Sequence, residues 1–457
     1  LRHSSAASDV YKRQILIYGN INISSEGVFS EGKLDINNST FFSDKFNFYS
    51  GSINSKYTDV EINFRGYDSP ILISSNVSLF YDIDNKIFDI NNDFYGDFSF
   101  SLPYYQVQTS LNNVRWLVME NSIKFSNSEN STAMSSVLSK SNKFLDWSLP
   151  VEKAHIDLNE KTLTLNGVNE LQVSDAYIIP NRETVLIREN FVIDELTMAE
   201  LILDTLNEFH KFVDANIKVE SKNKFEGKGI YEYINFNEDT FKIPFSEFEL
   251  RDMEDESGNI RLATFSSGSV DKSNPILMEP GFNFFGNIEL FSSNEQLLFN
   301  GSIIPSEVEG FKFDDAISFN EYFIPGEELA LNISDSDDFF VSSISRNSNF
   351  LFFDFFKNPV KNKNLVFFNP FGQLSYDSYN NSYLIETKEK RNQDVYNGNS
   401  LLYNPDEKSL SFEGKVDIID NDNNFKVFTS MTAQSNLDSM NIESEALMVI
   451  DVNLRKQ

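Results

Sequence analysis

The sequence lacks cysteine altogether, and it contains only three histidines and two tryptophans. The absence of cysteine excludes a disulfide framework, a thiolate nucleophile and a zinc site with cysteine ligands. The sequence also has no HExxH, GxSxG, P-loop or GxGxxG pattern, so most nucleophilic, metal-dependent and nucleotide-dependent reactions have no recognisable machinery. We therefore predict a protein that is not an enzyme and holds no cofactor. The 69 acidic residues still allow one alternative, a pair of catalytic carboxylates of the kind that glycosidases use.

Basic residues are scarce as well. The chain has 38 Lys and Arg against 69 Asp and Glu, which gives a formal net charge of −31 at pH 7. A chain this acidic repels nucleic acid phosphates and anionic lipid headgroups, so we predict no nucleic-acid partner. No apolar run is long enough for a membrane-spanning helix, because the longest aromatic stretch, SNFLFFDFFKNP, is broken by Asp354 and ends at Pro359.

The first fourteen residues match nothing else in the chain. The segment SSAASDVYKRQ, residues 4–14, reads back codon by codon as the adapter and transposase end of tagmentation sequencing libraries. We expect residues 1–14 to be a non-native artefact and the protein to begin at about Ile15, cut short at both ends. Removing three basic residues and one acidic residue with that segment changes the net charge from −31 to −33.

Strand signals dominate the remainder. In KLDINNSTFFSDKFNF the period-two pattern predicts one apolar face that carries Leu34, Ile36, Phe42, Phe46 and Phe48. Turn signals such as SSEG, DIDNK and NPDE recur at roughly the spacing of an all-β chain. Phenylalanine, at 44 of 457 residues, suits a pleated and half-buried surface. The sequence therefore predicts an all-β protein.

Near-repeated segments favour a stacked architecture. EGKLDI and EGKVDI match almost residue for residue, and so do LTLNGV and LLFNGS. No fixed period emerges, so a regular solenoid is not predicted. We predict an elongated stack of antiparallel sheets or β-jellyroll modules, divided into a β module at 15–125, a linker at 126–142, a β module at 143–310 and a truncated β module at 311–457.

One stretch, TMAELILDTLNEFHKF, has a helical pattern. Thr197 and Glu200 have the spacing of a capping box. Apolar residues then follow at helical intervals, namely Ala199, Ile202, Leu206, Phe209 and Val213. The flanking segments VLIRENFVIDEL and NIKVES are strand-like. We therefore predict strands here, with a single helix near 197–213 as the alternative.

The order of several segments resembles a protein family. The segments are VSLFYDIDNKIFDI, LPYYQVQTSLNNVRWLVME, KAHIDLNEKTLTLNGVNELQVSDAYIIP, ILDTLNEFHKF, NKFEGKGIYEYI and PGFNFFGNIEL. From about Val77 to Leu454 this order resembles very large, β-rich envelope proteins of unknown function from Bacteroidetes-type bacteria. The chain departs from that family at Ser174-Asp175-Ala176, where the family commonly has Ala-Asp-Ala. The resemblance implies a structural or interaction scaffold in the periplasm or at the outer membrane, with envelope proteins as partners.

A second resemblance is architectural. AHIDLNEKTLTLNGV is similar to the strand scheme of the OstA-like β-jellyroll of lipopolysaccharide transport. That fold implies an apolar groove, so a periplasmic carrier of lipid or glycolipid is the alternative function. A carbohydrate-active β-sandwich is a third hypothesis, which requires two carboxylates in a cleft flanked by exposed Trp or Tyr.

The sequence offers few candidate ligands. Asp420, Asp422 and Asn424 have the D-x-D-x-N spacing of a calcium loop, but Phe425 stands where an EF-hand needs Gly. We interpret this motif as a hairpin turn, with a calcium site as the alternative. We interpret Asp82 and Asp84 in YDIDNK as part of a hairpin turn as well.

Two other features have structural interpretations. His210 is expected to be a core or edge residue that donates to a backbone carbonyl. Gly227 and Gly229 are expected to mark a bulge or a close backbone approach within a strand. We also expect at least one exposed and partly apolar strand edge, which would favour self-association that added salt strengthens.

Overall fold

The computed structural model is an all-β protein, as the sequence predicts. It describes a large part of the chain, namely residues 15–36, 38–64, 69–92, 98, 100–127, 135–254, 260–307, 316–327, 329, 331–333, 342–346, 351–355, 365–368, 370–394, 397–407, 409–416, 425–436 and 439–450.

The strands are short to medium in length and follow one another through tight turns. The first eighteen are β1 (Leu16–Ser24), β2 (Gly27–Ile36), β3 (Ser39–Tyr49), β4 (Ser52–Asn63), β5 (Pro70–Asp82), β6 (Ile87–Asn91), β7 (Phe100–Leu102), β8 (Val107–Thr109), β9 (Asn113–Leu117), β10 (Ser122–Ser126), β11 (Ser135–Ser139), β12 (Ser148–Val151), β13 (Lys153–Asp157), β14 (Thr162–Asn166), β15 (Leu171–Val173), β16 (Ala176–Ile179), β17 (Thr184–Arg188) and β18 (Val192–Ile193). The next nine are β19 (Leu196–Leu203), β20 (His210–Ser221), β21 (Lys224–Ile234), β22 (Thr240–Glu254), β23 (Ile260–Val270), β24 (Ile276–Glu279), β25 (Phe282–Phe291), β26 (Leu297–Pro305) and β27 (Ile317–Phe323).

The last ten strands are β28 (Leu331–Ile333), β29 (Ser342–Arg346), β30 (Leu351–Phe355), β31 (Leu365–Phe368), β32 (Gly372–Asp377), β33 (Ser382–Glu386), β34 (Ser400–Asn404), β35 (Ser409–Val416), β36 (Phe425–Asn436) and β37 (Ser439–Ile450). Within the described part of the chain, helical structure consists of one α-helical turn, Lys388–Arg391, and five 3-10 turns, at Pro103–Tyr105, Val118–Glu120, Asn142–Phe144, Asn181–Glu183 and Glu189–Phe191.

The chain forms two compact units. The first comprises Leu1–Tyr231 and Ser246–Ser266, and the second comprises Glu232–Phe245 and Ser267–Gln457. The module boundaries predicted from the sequence stay predictions. Within the predicted linker, residues Ser135–Ser139 form β11.

The first unit is built on a sheet whose strand order largely follows the chain, β1-β2-β3-β4-β5-β6-β9-β10-β13-β14-β17-β18. This sheet branches at β5, because Ser78–Asp82 pairs with β6 while Ile73 pairs with Ser101 of β7. The branch continues through β8, β11 and β12. Phe100 of β7 meets Phe125 of β10 with ring centroids 6.3 Å apart, so the two branches enclose a common core.

A row of apolar side chains crosses this sheet perpendicular to the strands. The residues that are directly opposite one another in successive strands are Ile53, Tyr81, Phe88, Trp116, Ile123, Ile156, Leu163, Ile187 and Ile193. Each is at most 5% exposed. Phe88 is central to the row, since its ring lies 4.0 Å from Tyr81, 4.9 Å from Trp116 and 5.1 Å from Phe41 between centroids. This row, which we call the core row, is a continuous buried apolar contact across the sheet.

The predicted apolar face of 33–48 is partly wrong. Leu34, Ile36 and Phe46 are buried as predicted, but Phe42 is 48% exposed and Phe41 is buried instead. The cause is the tight turn between β2 and β3, which pairs Ile36 with Ser39, so that Phe41 and not Phe42 lies opposite the buried Leu34. The β2–β3 register then shifts between Ser30 and Gly32, and this bulge returns Phe46 to the buried face. Period-two counting across the turn therefore fails for Phe42.

The stretch with the helical pattern forms two strands. β19 ends at Leu203, and β20 begins at His210 after a turn. Ala199, Leu201 and Leu203 are buried in alternation, while Leu206 of the turn is 89% exposed. The strand prediction is confirmed and the helix alternative is wrong, because pairing of β19 with β16 and β20 outweighs the local helical pattern.

The second unit contains three described groups of strands. β24 to β27 pair in the order β24-β25-β26-β27, a seven-stranded sheet has the order β28-β32-β33-β34-β35-β36-β37, and a three-stranded sheet has the order β30-β29-β31. The Tyr383 hydroxyl joins two loops, since it donates to the Gly281 carbonyl at 2.9 Å and accepts from the Glu307 N–H at 3.2 Å. Burial raises the pKa of Tyr383, which keeps this hydroxyl protonated over the ordinary pH range.

None of the described helical segments is long and apolar enough to span a membrane.

Candidate interaction site

The calcium candidates Asp420, Asp422 and Asn424 lie outside the described residues. Within the described ranges, no group of three or more His, Asp or Glu residues is placed to hold a metal ion. Asp82 lies at the first position of the β5–β6 turn, where its carboxylate accepts the Asn85 N–H at 2.9 Å and the Asn85 side-chain amide at 2.8 Å. These bonds lower the pKa of Asp82, with the backbone N–H as the largest cause.

The same turn design recurs in three other hairpins. Asp157 accepts two backbone N–H groups after β13, Asp377 accepts two after β32, and Asn404 accepts one after β34. Each of these side chains satisfies donors of its own turn, as Asp and Asn commonly do at that position. The turn carboxylates of Asp82, Asp157 and Asp377 and the side-chain amide of Asn404 therefore have a structural task in the hairpins that precede β6, β14, β33 and β35.

The two histidines among the described residues occupy different environments. His210 is 1% exposed, and its Nδ1 lies 3.3 Å from the Tyr231 hydroxyl, so it is a core residue whose side chain meets a phenol. His155 is half-buried on the outer face of the first sheet, with its Nε2 2.9 Å from the Ser122 Oγ of the neighbouring strand. The sequence did not predict this serine–histidine contact, because the two residues are 33 positions apart.

Asp175, which follows Ser174 in the turn between β15 and β16, makes a long-range contact within the first unit. Its carboxylate accepts the Thr264 backbone N–H at 2.8 Å and the Thr264 hydroxyl at 2.5 Å. Ser174 beside it adopts φ of 54°, as the tight β15–β16 turn requires. This carboxylate therefore joins a turn to a strand 89 residues away.

The predicted close approach at Gly227 is present. A Cβ on Gly227 would lie 2.2 Å from the Asn216 carbonyl oxygen, and the β20–β21 register shifts between Val213 and Asn216. Beside it is a groove of about 940 Å³ whose polar lining includes Lys218, Lys228 and Glu247. Lys218 pairs with Glu226 at 2.7 Å, so part of the charge in this groove is already neutralised.

A shallower depression lies at the bulged part of β2 to β4. Its lining includes the aromatic side chains of Phe42 and Tyr57 and the carboxylates of Glu31, Asp44 and Asp59. Asp59 also accepts the Asn76 backbone N–H at 3.0 Å. Of these two rings only the exposed Tyr57 is of a type that the carbohydrate hypothesis requires beside a carboxylate pair, and that hypothesis stays a prediction.

The most distinctive surface lies where the core row continues into strands β3, β2 and β1 and its side chains become exposed. In the direction of β1, the residues opposite Ile53 are Phe48, then Val28, then Ile23. Exposure rises steadily along this line, from 1% at Ile53 to 36% at Val28 and 80% at Ile23. The apolar face of the sheet therefore extends past the layer that buries the rest of it.

The same region has an open strand edge. β1 is the terminal strand of the order of the first sheet, and β2 is its one hydrogen-bonded neighbour among the described strands. Leu16, Tyr18, Ile21 and Ile23 are between 46% and 80% exposed. This is the exposed, partly apolar strand edge that the sequence led us to expect. We call β1 and the exposed side chain of Val28 the β1 edge.

Within its own described residues, β1 carries none of the side chains that usually protect an edge against strand pairing. Its sequence, LIYGNINIS, contains no charged residue and no proline, in a chain with 23% charged residues. Natural edge strands are commonly protected by Lys, Pro or inward-pointing charges. This local neutrality is the signal in the sequence that could have located the site.

No family model matches the chain, and no curated protein is significantly similar to it.

Proposed function

We propose that the protein is a non-enzymatic structural or interaction scaffold of the bacterial cell envelope, which binds other strands through the β1 edge. The observation that carries this proposal is the core row, which loses its cover at Val28 and Ile23. Exposed apolar surface that is continuous with a core is typical of a protein–protein interaction site. An open strand adds backbone donors and acceptors, which pair with any added strand.

Charge supports a role in specific contact. A net charge of −31 keeps the molecule apart from other acidic molecules at long range, while the neutral β1 edge permits contact at short range. The envelope location, in the periplasm or at the outer membrane, and envelope proteins as partners belong to this proposal and rest on the family resemblance of the sequence.

The carrier alternative has weaker support. It requires an apolar groove, whereas the described rings of the first unit pack on one another, as Phe88 does on Tyr81, Trp116 and Phe41. Binding of lipid or glycolipid stays a prediction, and native mass spectrometry of the protein purified from cells is the measurement that tests it.

The scaffold proposal is tested by affinity isolation from envelope fractions with the full chain as bait. We compare the wild type with Ile21→Ser/Ile23→Ser, and with Leu206→Ser as the control because Leu206 is exposed in a turn. The proposal expects an identified envelope protein that binds the wild type and the control but not the double variant. Equal recovery by all three baits, or catalytic turnover of an envelope component by the wild type, would contradict it.

A further inference from the structure

We propose that the outer face of the first sheet carries a phosphate-binding site, which Lys124 of β10 and His155 and Lys153 of β13 form. We call these three residues the basic triplet. Lys124 and Lys153 are exposed, and His155 is half-buried. The proposal goes beyond the scaffold function, because the basic triplet lies on the face opposite the core row and takes no part in the β1 edge.

Strand pairing brings the basic triplet together. Lys124 lies directly opposite His155, in the same register that pairs Ile123 with Ile156 in the core row. Directly opposite residues have Cβ atoms about 4.5–5.5 Å apart. Lys153 is two positions before His155 on β13, so it lies on the same face at about 7 Å. Three side chains that end in nitrogen therefore share one small area of the outer face.

Lys124 has no compensating charge beside it. Its neighbour on the other side is Arg115 of β9, and like charges directly opposite one another destabilise a sheet. Arg115 is neutralised by Asp89 of β6, whose carboxylate lies 3.1 Å from the Arg115 Nε. Lys124 and Lys153 make no ion pair within the described part of the chain. Such a departure from local rules is expected at functional sites, and a bound anion would compensate it.

His155 is held in place by a neighbouring serine. Its Nε2 lies 2.9 Å from the Oγ of Ser122, which is 7% exposed on β10. The serine hydroxyl can donate to this nitrogen or accept from it, so the contact can be made in both charge states of the ring. Ser122 is the one hydrogen-bond partner of the ring among the described residues, which leaves Nδ1 for a ligand. A ring that is oriented in advance loses less entropy on binding.

The donors of the basic triplet favour phosphate over carboxylate. A planar carboxylate is matched best by the fork of an arginine, and Arg115 already uses its fork on Asp89. A lysine ammonium is a point charge with three donors, which suits the oxygens of a tetrahedral phosphate group. The two lysines also match the charge of about −1.5 to −2 that a phosphate monoester carries at pH 7.

The net charge of the chain limits where the phosphate comes from. A charge of −31 repels nucleic acids and anionic bilayers, because both present many negative charges at once. A small phosphate compound carries few charges, and salt screens the distant carboxylates beyond about 8 Å at physiological ionic strength. We therefore expect the phosphate group of a small soluble molecule, and the phosphate of a lipid headgroup is tested as the other source.

The probe is inorganic phosphate, and the sample is the full chain with ¹⁵N-labelled histidine. Phosphate replaces chloride at constant ionic strength, and loss of a signal in His155→Gln assigns the His155 ring. We expect the His155 signals to shift until they saturate. The signals of His210 should not shift, because that residue is 1% exposed in the core. A His155 shift that is absent, or that grows without saturation, would overturn the site.

Matched variants separate the basic triplet from general electrostatics. Lys124→Gln/Lys153→Gln should raise the apparent dissociation constant for phosphate about tenfold or more, because two charge-assisted hydrogen bonds are lost. Lys222→Gln/Lys228→Gln removes the same charge from other exposed positions of the first unit and should bind as the wild type does. Equal weakening in the two double variants would overturn the proposal. Tryptophan fluorescence confirms that the first unit of each variant is folded.

Vesicles of phosphatidylcholine and phosphatidylglycerol distinguish the two sources of phosphate. We expect glycerol phosphate to saturate the His155 shift and the vesicles not to sediment with the protein. Sedimentation with vesicles that Lys124→Gln/Lys153→Gln abolishes would keep the site and assign the lipid headgroup as its ligand. Sedimentation that this variant leaves unchanged, without a saturating His155 shift, would overturn the site. None of these outcomes bears on the β1 edge, which is tested by its own variants.

Discussion

Phe88 is the residue whose loss should most directly reveal how the first unit is stabilised. It is fully buried, and its ring contacts those of Tyr81, Trp116 and Phe41. Replacing a buried Phe by Ala costs about 3–5 kcal/mol through lost transfer energy and the cavity left behind. Each aromatic pair contributes about 0.5–1.5 kcal/mol beyond the area it buries, and three pairs are lost. We therefore expect Phe88→Ala to lower the free energy of unfolding of this unit by about 4–5 kcal/mol.

The assay is urea unfolding followed by tryptophan fluorescence. Both tryptophans of the chain lie in the first unit, so the signal reports on that unit without interference from the second. With an m value on the order of 3 kcal/mol/M, the midpoint should fall by about 1.5 M urea. Phe88→Leu keeps most of the volume but loses the ring pairs, so its cost should be about 2 kcal/mol.

The matched control is Phe42→Ala, which makes the same chemical change at a half-exposed position of a nearby strand. We expect it to cost less than about 1 kcal/mol. If Phe88→Ala shifted the midpoint no more than Phe42→Ala does, the assignment of the core row as a stabilising contact would be refuted.

Three further predictions concern single contacts. Asp175→Ala should destabilise the first unit by about 1–3 kcal/mol in the same urea assay, because two hydrogen bonds from Thr264 are lost, and Asp175→Asn should recover part of that loss. Gly281→Ala should lower the melting temperature of the second unit by circular dichroism, because Gly281 has φ of 86° and the added Cβ would lie 2.3 Å from the Tyr376 ring; an unchanged melting temperature would contradict the observed backbone. The pKa of Asp82 lies below the ordinary value of 3.8, so the stability that this carboxylate contributes is present above pH 3.8 and is lost as the pH falls through the lowered pKa. On acidification below pH 3.8, Asp82→Asn should therefore lose less stability than the wild type. A carboxyl pKa of Asp82 at or above 3.8, measured by NMR, would contradict this prediction.

The strand content could be predicted from the sequence because alternation and turn residues are local properties. Leu34 and Ile36 are buried as counted, and the turn at Asp82 begins where its Asp and Asn residues predict. Phe42 was misplaced because the tight β2–β3 turn pairs Ile36 with Ser39 and so places Phe41 on the buried face of β3, which period-two counting across the turn does not consider.

The candidate site could not be predicted residue by residue. Ile23 and Ile53 look alike in sequence, and both belong to apolar alternations. Their exposures of 80% and 1% differ because Ile53 is covered by a second layer while Ile23 is on the terminal strand. The helical pattern around Leu206 misleads for the same reason, since strand pairing with distant residues decides the conformation there.

The strand order of the first sheet has a consequence for how the protein is made. Most neighbours in that sheet are also neighbours in the chain, from β1 to β6 without exception. Pairing between strands that are close in sequence requires little loop closure, and hairpins form within microseconds. During synthesis, each new hairpin can therefore add to an edge that has already formed, as the chain leaves the ribosome. Growth of the described sheet therefore proceeds in one direction along the chain, from β1 towards β18.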